Sequence, residues 1–343
     1  MNAVFPALAS VLDGAALAAR VLPEYPLVPP LVCGLLARGA HDNYLVTTGD
    51  GGRYVLRVHT YERGLALESV EEQARIVAAL AAMGVAVEAP VARRDRHYVT
   101  SVLAPEGERF ALLVRFVPGA PVAAYPTPAQ AARYGELAAR MHTALDTIPF
   151  TAATHRPTLD LAYLLDEPLR MLAPLGRQHL ALWDALTARA QEVAERLRAL
   201  ALPCESPAWG LCHGDLHKRN VLYGDKGSPT LMDWDCLGMG WRTYDLASLR
   251  RSLGHMVEPA QMAGDEAEVL FGAFLRSYMR LRPLSDAALA TIPLFVPIRQ
   301  LWIRGVGVAG ALAGGWHPAE FGAEWFEALA GSLRAWMDVP ASG

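Results

Sequence analysis

Residues 213–235 constrain this chain more than any other stretch. They begin His213-Gly214-Asp215-Leu216-His217-Lys218-Arg219-Asn220 and end Met232-Asp233-Trp234-Asp235. Asn220 follows Asp215 by five residues, and Asp233 follows Asn220 by thirteen. Trp209 to Cys212 is a short apolar run leading into His213; Val221-Leu222-Tyr223 is a second, and Thr230-Leu231-Met232 a third. The six residues Gly224-Asp225-Lys226-Gly227-Ser228-Pro229 between the last two are dense in turn formers. The pattern predicts a β-hairpin that carries Asn220 and Asp233 to the same end of two paired strands. Mg²⁺ prefers oxygen ligands and shares them with phosphates and water, so an amide and a carboxylate at one strand end suit it. With Asp215 added, the layout is the one phosphoryl transfer needs: an acid near the acceptor hydroxyl, and an amide and an acid on the metal that bridges nucleotide phosphates.

The run His-Gly-Asp-Leu-His-x-x-Asn-Val-Leu followed by Asp-Trp-Asp resembles the aminoglycoside phosphotransferase and choline kinase-like branch of the protein-kinase fold. Arg53-Tyr54-Val55-Leu56-Arg57-Val58-His59 looks like its third strand, and His155-Arg156-Pro157-Thr158 resembles a segment of its bacterial stress-response kinase and homoserine kinase-like members. The resemblance runs from about residue 36 to about residue 250, and more loosely to the end. It implies an α+β, bilobal protein-kinase-like fold. Residues 1–117 would form a small β-rich N-lobe, an antiparallel sheet with one main helix that covers the nucleotide. Residues 118–343 would form a larger, mostly helical C-lobe around the hairpin at 209–235. By the same resemblance Asp215 is the catalytic base, Asn220 and Asp233 hold Mg²⁺, and His213 and Asp245 give structural support, Asp245 bracing the loop from the next helix. ATP or GTP is the implied phosphoryl donor.

The N-terminal part fits that implication in order. Leu31 to Ala37 and Tyr44 to Thr48 read as strands around a turn over Arg38–Asn43, and Asn43 is a candidate nucleotide contact. Asp50-Gly51-Gly52 is a tight turn into the strand of Arg57. The chain has only two lysines, Lys218 and Lys226, so no Lys stands on that strand to hold the nucleotide phosphates. Arg57 occupies the matching place, and a guanidinium can do this work. Ala66 to Met83 is helical by pattern and carries Glu68, Glu71 and Glu72; Glu72 is the favoured partner of Arg57. Leu112 to Val117, before Pro118-Gly119, reads as a strand ending in a hinge, where backbone around Arg115 and Val117 would meet an adenine.

Beyond Thr127-Pro128, an N-cap pair, helical patterns recur: Tyr134, Leu137, Ala138, Met141 and Leu145 share one face, and further helices are predicted near 178–201, 264–281, 286–304 and 319–337. Candidate contacts to the acceptor are Asp235, His217, Arg299, Trp302 and Arg304, with Trp316, His317 and Glu320 beyond them. Acidic residues among these would suit a cationic acceptor. Only eleven residues separate Asp233 from Asp245, too few for the long segment on which a protein kinase holds a peptide. The preferred acceptor is therefore a small hydroxyl-bearing molecule: an antibiotic, amino sugar, nucleoside-like metabolite or amino alcohol. A Ser/Thr protein kinase of the bacterial stress-response type is the alternative, and a catalytically degenerate nucleotide-binding fold a remote one. His213-x-Asp215-x-His217 as a hydrolase metal site leaves Asn220 and the hairpin unexplained.

With 343 residues, 52% of them apolar, the chain can bury two sizeable cores. A net charge of −4 with scattered basic residues gives no basic stripe for nucleic acid. Cys33, Cys204, Cys212 and Cys236 lack Cys-x-x-Cys spacing and read as reduced thiols rather than a zinc site. The N-terminus has no basic stretch of a signal peptide, and the apolar region Thr291–Gly315 is interrupted by Arg299, Arg304 and prolines. The expectation is a cytoplasmic monomer or homodimer with no membrane or nucleic-acid partner.

Overall fold

Asp42, Tyr44 and Val46 are buried while the residues between them are half-buried, the two-residue period of a strand with one face on a core. The computed structural model describes residues 5, 7–60, 62, 65–119, 126–149, 155–177, 179–254, 264–314, 324–325, 327–329 and 331. It divides into two units: residues 1–119, 148–156 and 230–232 form the first, and 120–147, 157–229 and 233–343 the second.

In the first unit, helix α1 (Gly14–Arg20) starts at Asp13, whose carboxylate accepts from the Ala16 N–H at 2.8 Å. Strand β1 (Val32–Arg38) turns through Gly39-Ala40 into β2 (His41–Thr47). The predicted turn over 38–43 therefore shrinks to two residues, and Asn43 becomes a strand residue paired with Arg57. The Asp50-Gly51-Gly52 turn forms as predicted, with Gly51 at φ +83°, and leads into β3 (Arg53–His59). Helix α2 (Leu67–Ala82), β4 (Val99–Ala104) and β5 (Gly107–Arg115) follow. The sheet order is β1-β2-β3-β5-β4, all neighbours antiparallel. Tyr25, Tyr44, Val46, Leu56, Val58 and Leu113 fill one core, and α2 packs Val70 and Ala74 on Val99, Phe110, Leu112 and Val114 in another. Both faces of β5 are thus covered, and Phe110 to Val114 are buried without interruption.

The second unit begins with α3 (Pro128–Leu145), opened by a capping box in which Thr127 and Gln130 satisfy each other's backbone N–H. Its predicted apolar face, Tyr134, Leu137, Ala138, Met141 and Leu145, is buried. Then come β6 (Thr158–Leu159), α4 (Glu167–Gly176), α5 (Leu180–Ala199), β7 (Trp209–Cys212), β8 (Val221–Tyr223), β9 (Pro229–Leu231), β10 (Gly238–Trp241), α6 (Arg242–Gly254), α7 (Gly264–Leu281) and α8 (Asp286–Ala313). β8 and β9 form the predicted hairpin, and β10 lies between β6 and β7. α8 passes through Pro293 and Pro297 and runs nine residues beyond the predicted end at 304. The helix predicted over 319–337 lies largely outside the described residues, as do Trp316, His317 and Glu320. No described helix is long and apolar enough to cross a membrane.

One buried ion pair anchors the first sheet. The Arg109 guanidinium donates to Asp42 Oδ2 at 2.8 Å, to the His59 carbonyl at 2.7 Å and to the Ser10 carbonyl at 2.9 Å. Removing Asp42 leaves the buried Arg109 charge with only the longer carboxylate contact to Glu106 Oε1 at 3.4 Å among the described residues. Asp42→Ala should lower stability by about 2–4 kcal/mol in urea unfolding, somewhat less than for a pair with no second counterion; a loss below about 1 kcal/mol would show that Glu106 alone neutralises Arg109.

Candidate active site

Strand β7 ends at Cys212 and releases the chain into residues 213–220. That loop would be costly to order without partners for its backbone donors. The partners come from α6: Asp245 Oδ2 accepts from the His213 N–H at 2.7 Å and Oδ1 from the Gly214 N–H at 2.8 Å. Asp245 is fully buried, and a third donor balances it. His142 Nε2 lies 3.0 Å from Asp245 Oδ2, and His142 Nδ1 lies 2.8 Å from the Tyr278 hydroxyl. Burial raises the Asp245 carboxyl, but the His142 hydrogen bond, the nearby His142 and His213 rings and the Gly214 N–H outweigh it and hold it below its ordinary value. Burial lowers His142 to about 4, against the pull of Asp245, so the imidazole is neutral at neutral pH. It then donates from Nε2 to the carboxylate and accepts the tyrosine proton at Nδ1.

Gly214 fits its place only as glycine. Its φ is +78°, and a Cβ there would lie 1.9 Å from the Cys236 carbonyl oxygen. The loop closes on itself beyond that point. The Asn220 Nδ2 donates to the Asp215 carbonyl at 3.0 Å, and the Asn220 N–H to the His217 carbonyl at 3.0 Å. The Asp215 N–H donates to His213 Nδ1 at 3.3 Å, while the His213 ring tilts against Trp234 with centroids 4.5 Å apart.

The Asp215 carboxylate is partly exposed and has two unequal oxygens. Oδ1 receives Arg299 Nη2 from α8, while Arg299 Nη1 reaches the Gly214 carbonyl and the Tyr244 hydroxyl, both at 3.1 Å. Oδ2 faces His217 Nε2 at 3.5 Å. Burial raises the Asp215 carboxyl, but Arg299 first, then His217, His213 and Asn220, bring it below its ordinary value. Burial lowers His217 to about 4 in spite of Asp215. The Arg219 N–H donates to His217 Nδ1 at 3.0 Å, which leaves the ring proton on Nε2, toward Asp215. Asp233 follows β9 at φ +65°, a left-handed conformation that Asp tolerates better than most residues.

The second unit thus gathers Asp215, Asn220, His217, His213, Asp245 and Arg299 through direct contacts. Trp302 stacks under the Arg299 guanidinium at 4.5 Å, and Arg304 lies 6.0 Å from the Trp325 ring. Asp235 is half-buried, two residues past Asp233. In the first unit Arg57 is buried and pairs with Glu88 at 3.1 Å. This differs from the expected Glu72, whose Oε2 accepts from the His155 N–H at 2.9 Å. Glu71 is also occupied, accepting from the Tyr98 and Val99 N–H groups at 2.9 and 3.0 Å. In the predicted hinge the Arg115 N–H donates to the Ala89 carbonyl at 2.9 Å and the Phe116 N–H to the Arg53 carbonyl at 3.2 Å. The Arg115 N–H is therefore used inside the sheet; Val117 lies just beyond it. The sequence pattern does not mark His142, Tyr278 or Glu88 as site residues. His142 sits four residues after Ala138 on the apolar face of α3, and Glu88 is a lone acid after Val85-Ala86-Val87; buried acids and imidazoles in such settings need partners.

A profile of the phosphotransferase enzyme family matches residues 33–284, most of the chain. The chain belongs to the phosphotransferase enzyme family. Among relatives of this phosphotransferase, a protein of Deinococcus radiodurans is 41% identical over 93% of this chain and 87% of its own length. The homoserine kinase of Neisseria meningitidis serogroup B is 32% identical over 75% of this chain and 76% of its own length. Among solved structures, an amicoumacin kinase in complex with AMP-PNP, Ca²⁺ and Ami superposes with a TM-score of 0.73 at 20% identity, covering 95% of this chain and 94% of that one. The phosphotransferase shares the protein-kinase-like fold of that family.

The buried histidine behind the loop makes stability depend on acid. A group whose folded pKa is depressed contributes stability that is full above its unfolded pKa and falls away as pH drops toward the folded value. For His142 the window runs from about 6.5 down to about 4. His217 works in the same direction. Unfolding free energy should fall as pH is lowered through this window, and His142→Phe should flatten the slope by up to about 1.4 kcal/mol per pH unit. Parallel urea midpoints for both proteins from pH 6.5 to 4.5 would mean that His142 is not held neutral.

Proposed function

We propose that this phosphotransferase moves the γ-phosphoryl group of ATP or GTP to a hydroxyl of a small molecule, with Asp215 beside the acceptor. The observation that carries the reading is the Asn220 side chain tied at 3.0 Å to the Asp215 carbonyl, which holds the two groups in one rigid loop. That bond uses the amide nitrogen and leaves Oδ1 as the ligand atom. Asn220 Oδ1 and the Asp233 carboxylate are hard oxygen donors, the set Mg²⁺ accepts when phosphates and water complete its shell. They are the residues that would hold it, and its charge would offset that on the β- and γ-phosphates. Two similar proteins support a nucleotide and a metal: one is named a homoserine kinase, and the other was solved with AMP-PNP and Ca²⁺.

Asp215 orients the acceptor through Oδ2, the oxygen that Arg299 leaves open. As the acceptor oxygen bonds to phosphorus and the bond to the β–γ bridging oxygen breaks, the hydroxyl proton passes to Asp215 and the nucleoside diphosphate leaves. A carboxylate held below its ordinary pKa is a weak base, which fits a loose transition state in which the proton moves late. Arg57, steadied by Glu88, is assigned to the nucleotide phosphates, Asn43 lies beside it in register, and adenine readout is assigned to the backbone at Val117. The eleven residues between Asp233 and Asp245 favour a small acceptor over a peptide.

Asp215→Ala should lower kcat by about 10²–10⁴-fold with little change in nucleotide affinity; near-normal turnover would remove Asp215 from the chemistry. Asp233→Ala should weaken binding of the Mg²⁺–nucleotide complex, and an unchanged Kd would remove it from the metal site. With Asp215 and His217 both titrating at acid pH, kcat should be flat from pH 6 to 8 as far as these groups govern it. In Arg299→Gln, burial dominates at Asp215, and the acid limb of the kcat profile should move upward. A limb that stays in place would show that Arg299 does not set the Asp215 pKa.

A further inference from the structure

Two neighbouring side chains of the catalytic loop come to its surface. Asp215 and His217 are half-buried, whereas His213, Gly214, Leu216, Lys218 and Asn220 are buried. The reaction proposed above uses Asp215 and gives His217 no part. Yet His217 is firmly held. The Arg219 N–H donates to its Nδ1 at 3.0 Å. Its backbone carbonyl accepts from the Asn220 N–H at 3.0 Å and from the Tyr134 hydroxyl at 3.3 Å. With a backbone donor at Nδ1, the ring proton sits on Nε2. Nε2 lies 3.5 Å from Asp215 Oδ2, longer than an N–H···O bond, so the carboxylate does not use up this donor. A histidine that merely covers the surface leaves its ring free to turn. Here a bond made inside the loop fixes the ring and brings its N–H beside the oxygen of Asp215 that Arg299 leaves open.

We propose that His217 is a second catalytic residue of this phosphotransferase: its Nε2–H donates to the acceptor oxygen while Asp215 Oδ2 accepts that oxygen's proton. The proposal rests on the kinase reading above and deepens it. A hydroxyl has one proton and two lone pairs. The proton goes to Asp215, one lone pair takes the His217 N–H, and the other is left to attack phosphorus. The attacking lone pair then has its heading before the reaction begins. In the transfer, the oxygen bonds to the γ-phosphorus and the bond from phosphorus to the β–γ bridging oxygen breaks. The hydroxyl proton passes to Oδ2, and His217 keeps its own. In a loose transition state the new bond is still weak, so a hydrogen bond to the attacking oxygen costs little nucleophilicity. The same geometry selects the reacting atom. A neutral amine has one lone pair, which cannot serve both His217 and phosphorus, and an ammonium has none. His217 therefore makes the site choose a hydroxyl over an amine, a choice that every amino alcohol or amino sugar presents.

The test uses the full chain with Mg²⁺–ATP and water as the acceptor, read as slow ATP hydrolysis, so that no natural acceptor need be known. L-homoserine and its amine match, L-2,4-diaminobutyrate, are added in parallel. His217→Leu should lower kcat for hydrolysis about tenfold or more, with the Kd of Mg²⁺–ATP unchanged. His217→Gln, whose amide N–H reaches close to the place of Nε2, should recover part of that loss. Added imidazole should raise turnover of His217→Gly severalfold and leave the wild type unchanged. A purely structural role predicts equal losses in the Leu and Gln variants and no rescue by imidazole, and that result overturns the proposal. So does near-normal hydrolysis by His217→Leu, or a loss that tracks weaker Mg²⁺–ATP binding. Transfer to L-2,4-diaminobutyrate as fast as to L-homoserine overturns the selection of oxygen. In each of these cases the kinase reading stands. A wild type that binds no Mg²⁺–ATP and transfers phosphate to neither water nor L-homoserine would instead count against the kinase reading, and the proposal would fall with it.

Discussion

The fully buried Asp245 carboxylate is the interaction on which the candidate site depends. It converts two loop N–H groups, which would otherwise need water, into a fixed turn at the end of β7. A buried charge alone would be expensive; here it is balanced by two backbone donors and a neutral imidazole. The cost is met by hydrogen bonding, so the bond geometry carries the placement of the loop. His142 and Tyr278 extend this chain of bonds across α3 and α7, so three helices position one turn of backbone.

Fixing the loop from behind lets its front face carry opposed charges at short range. Arg299, from a fourth helix, engages the Asp215 carboxylate, and Trp302 and Tyr244 limit where that guanidinium can go. Preorganised charge of this kind accelerates phosphoryl transfer because nothing has to reorient as charge moves. The same arrangement makes Asp215 acidic, which in the proposed reaction gives it mainly an orienting part.

What was legible in the sequence followed from range. The β8–β9 hairpin and the start of α3 at Thr127-Pro128 are set by residues within about a dozen positions of one another, and both formed as expected, the helix start with a capping box through Gln130 in addition. The assignment of Asp245 as a brace came from a resemblance and matches the geometry. The partner of Arg57 was not legible in the same way: Glu88 lies 31 residues away in sequence, and its approach depends on the chain after α2 returning to pair with Leu231. Glu72 carried the right charge on a plausible helix but faces the His155 backbone. The turn before β2 was over-read because Gly39-Ala40 alone reverses the chain, and polar His41 and Asn43 sit comfortably at half-buried strand positions. His142 gave no sign of its role because an imidazole on an apolar helix face has the same signature whether it packs idly or anchors a carboxylate.

Asp233 stands in a left-handed conformation at φ +65°, where a side chain costs about 1 kcal/mol and glycine costs nothing. Backbone conformation alone would therefore prefer glycine at this position. If Asp233 holds the metal as proposed, position 233 is a point where activity and backbone conformational preference are traded. In a copy of this chain released from the proposed chemistry, glycine at 233 would relieve the left-handed backbone cost. Loss of the proposed activity would then carry a backbone gain at the same position.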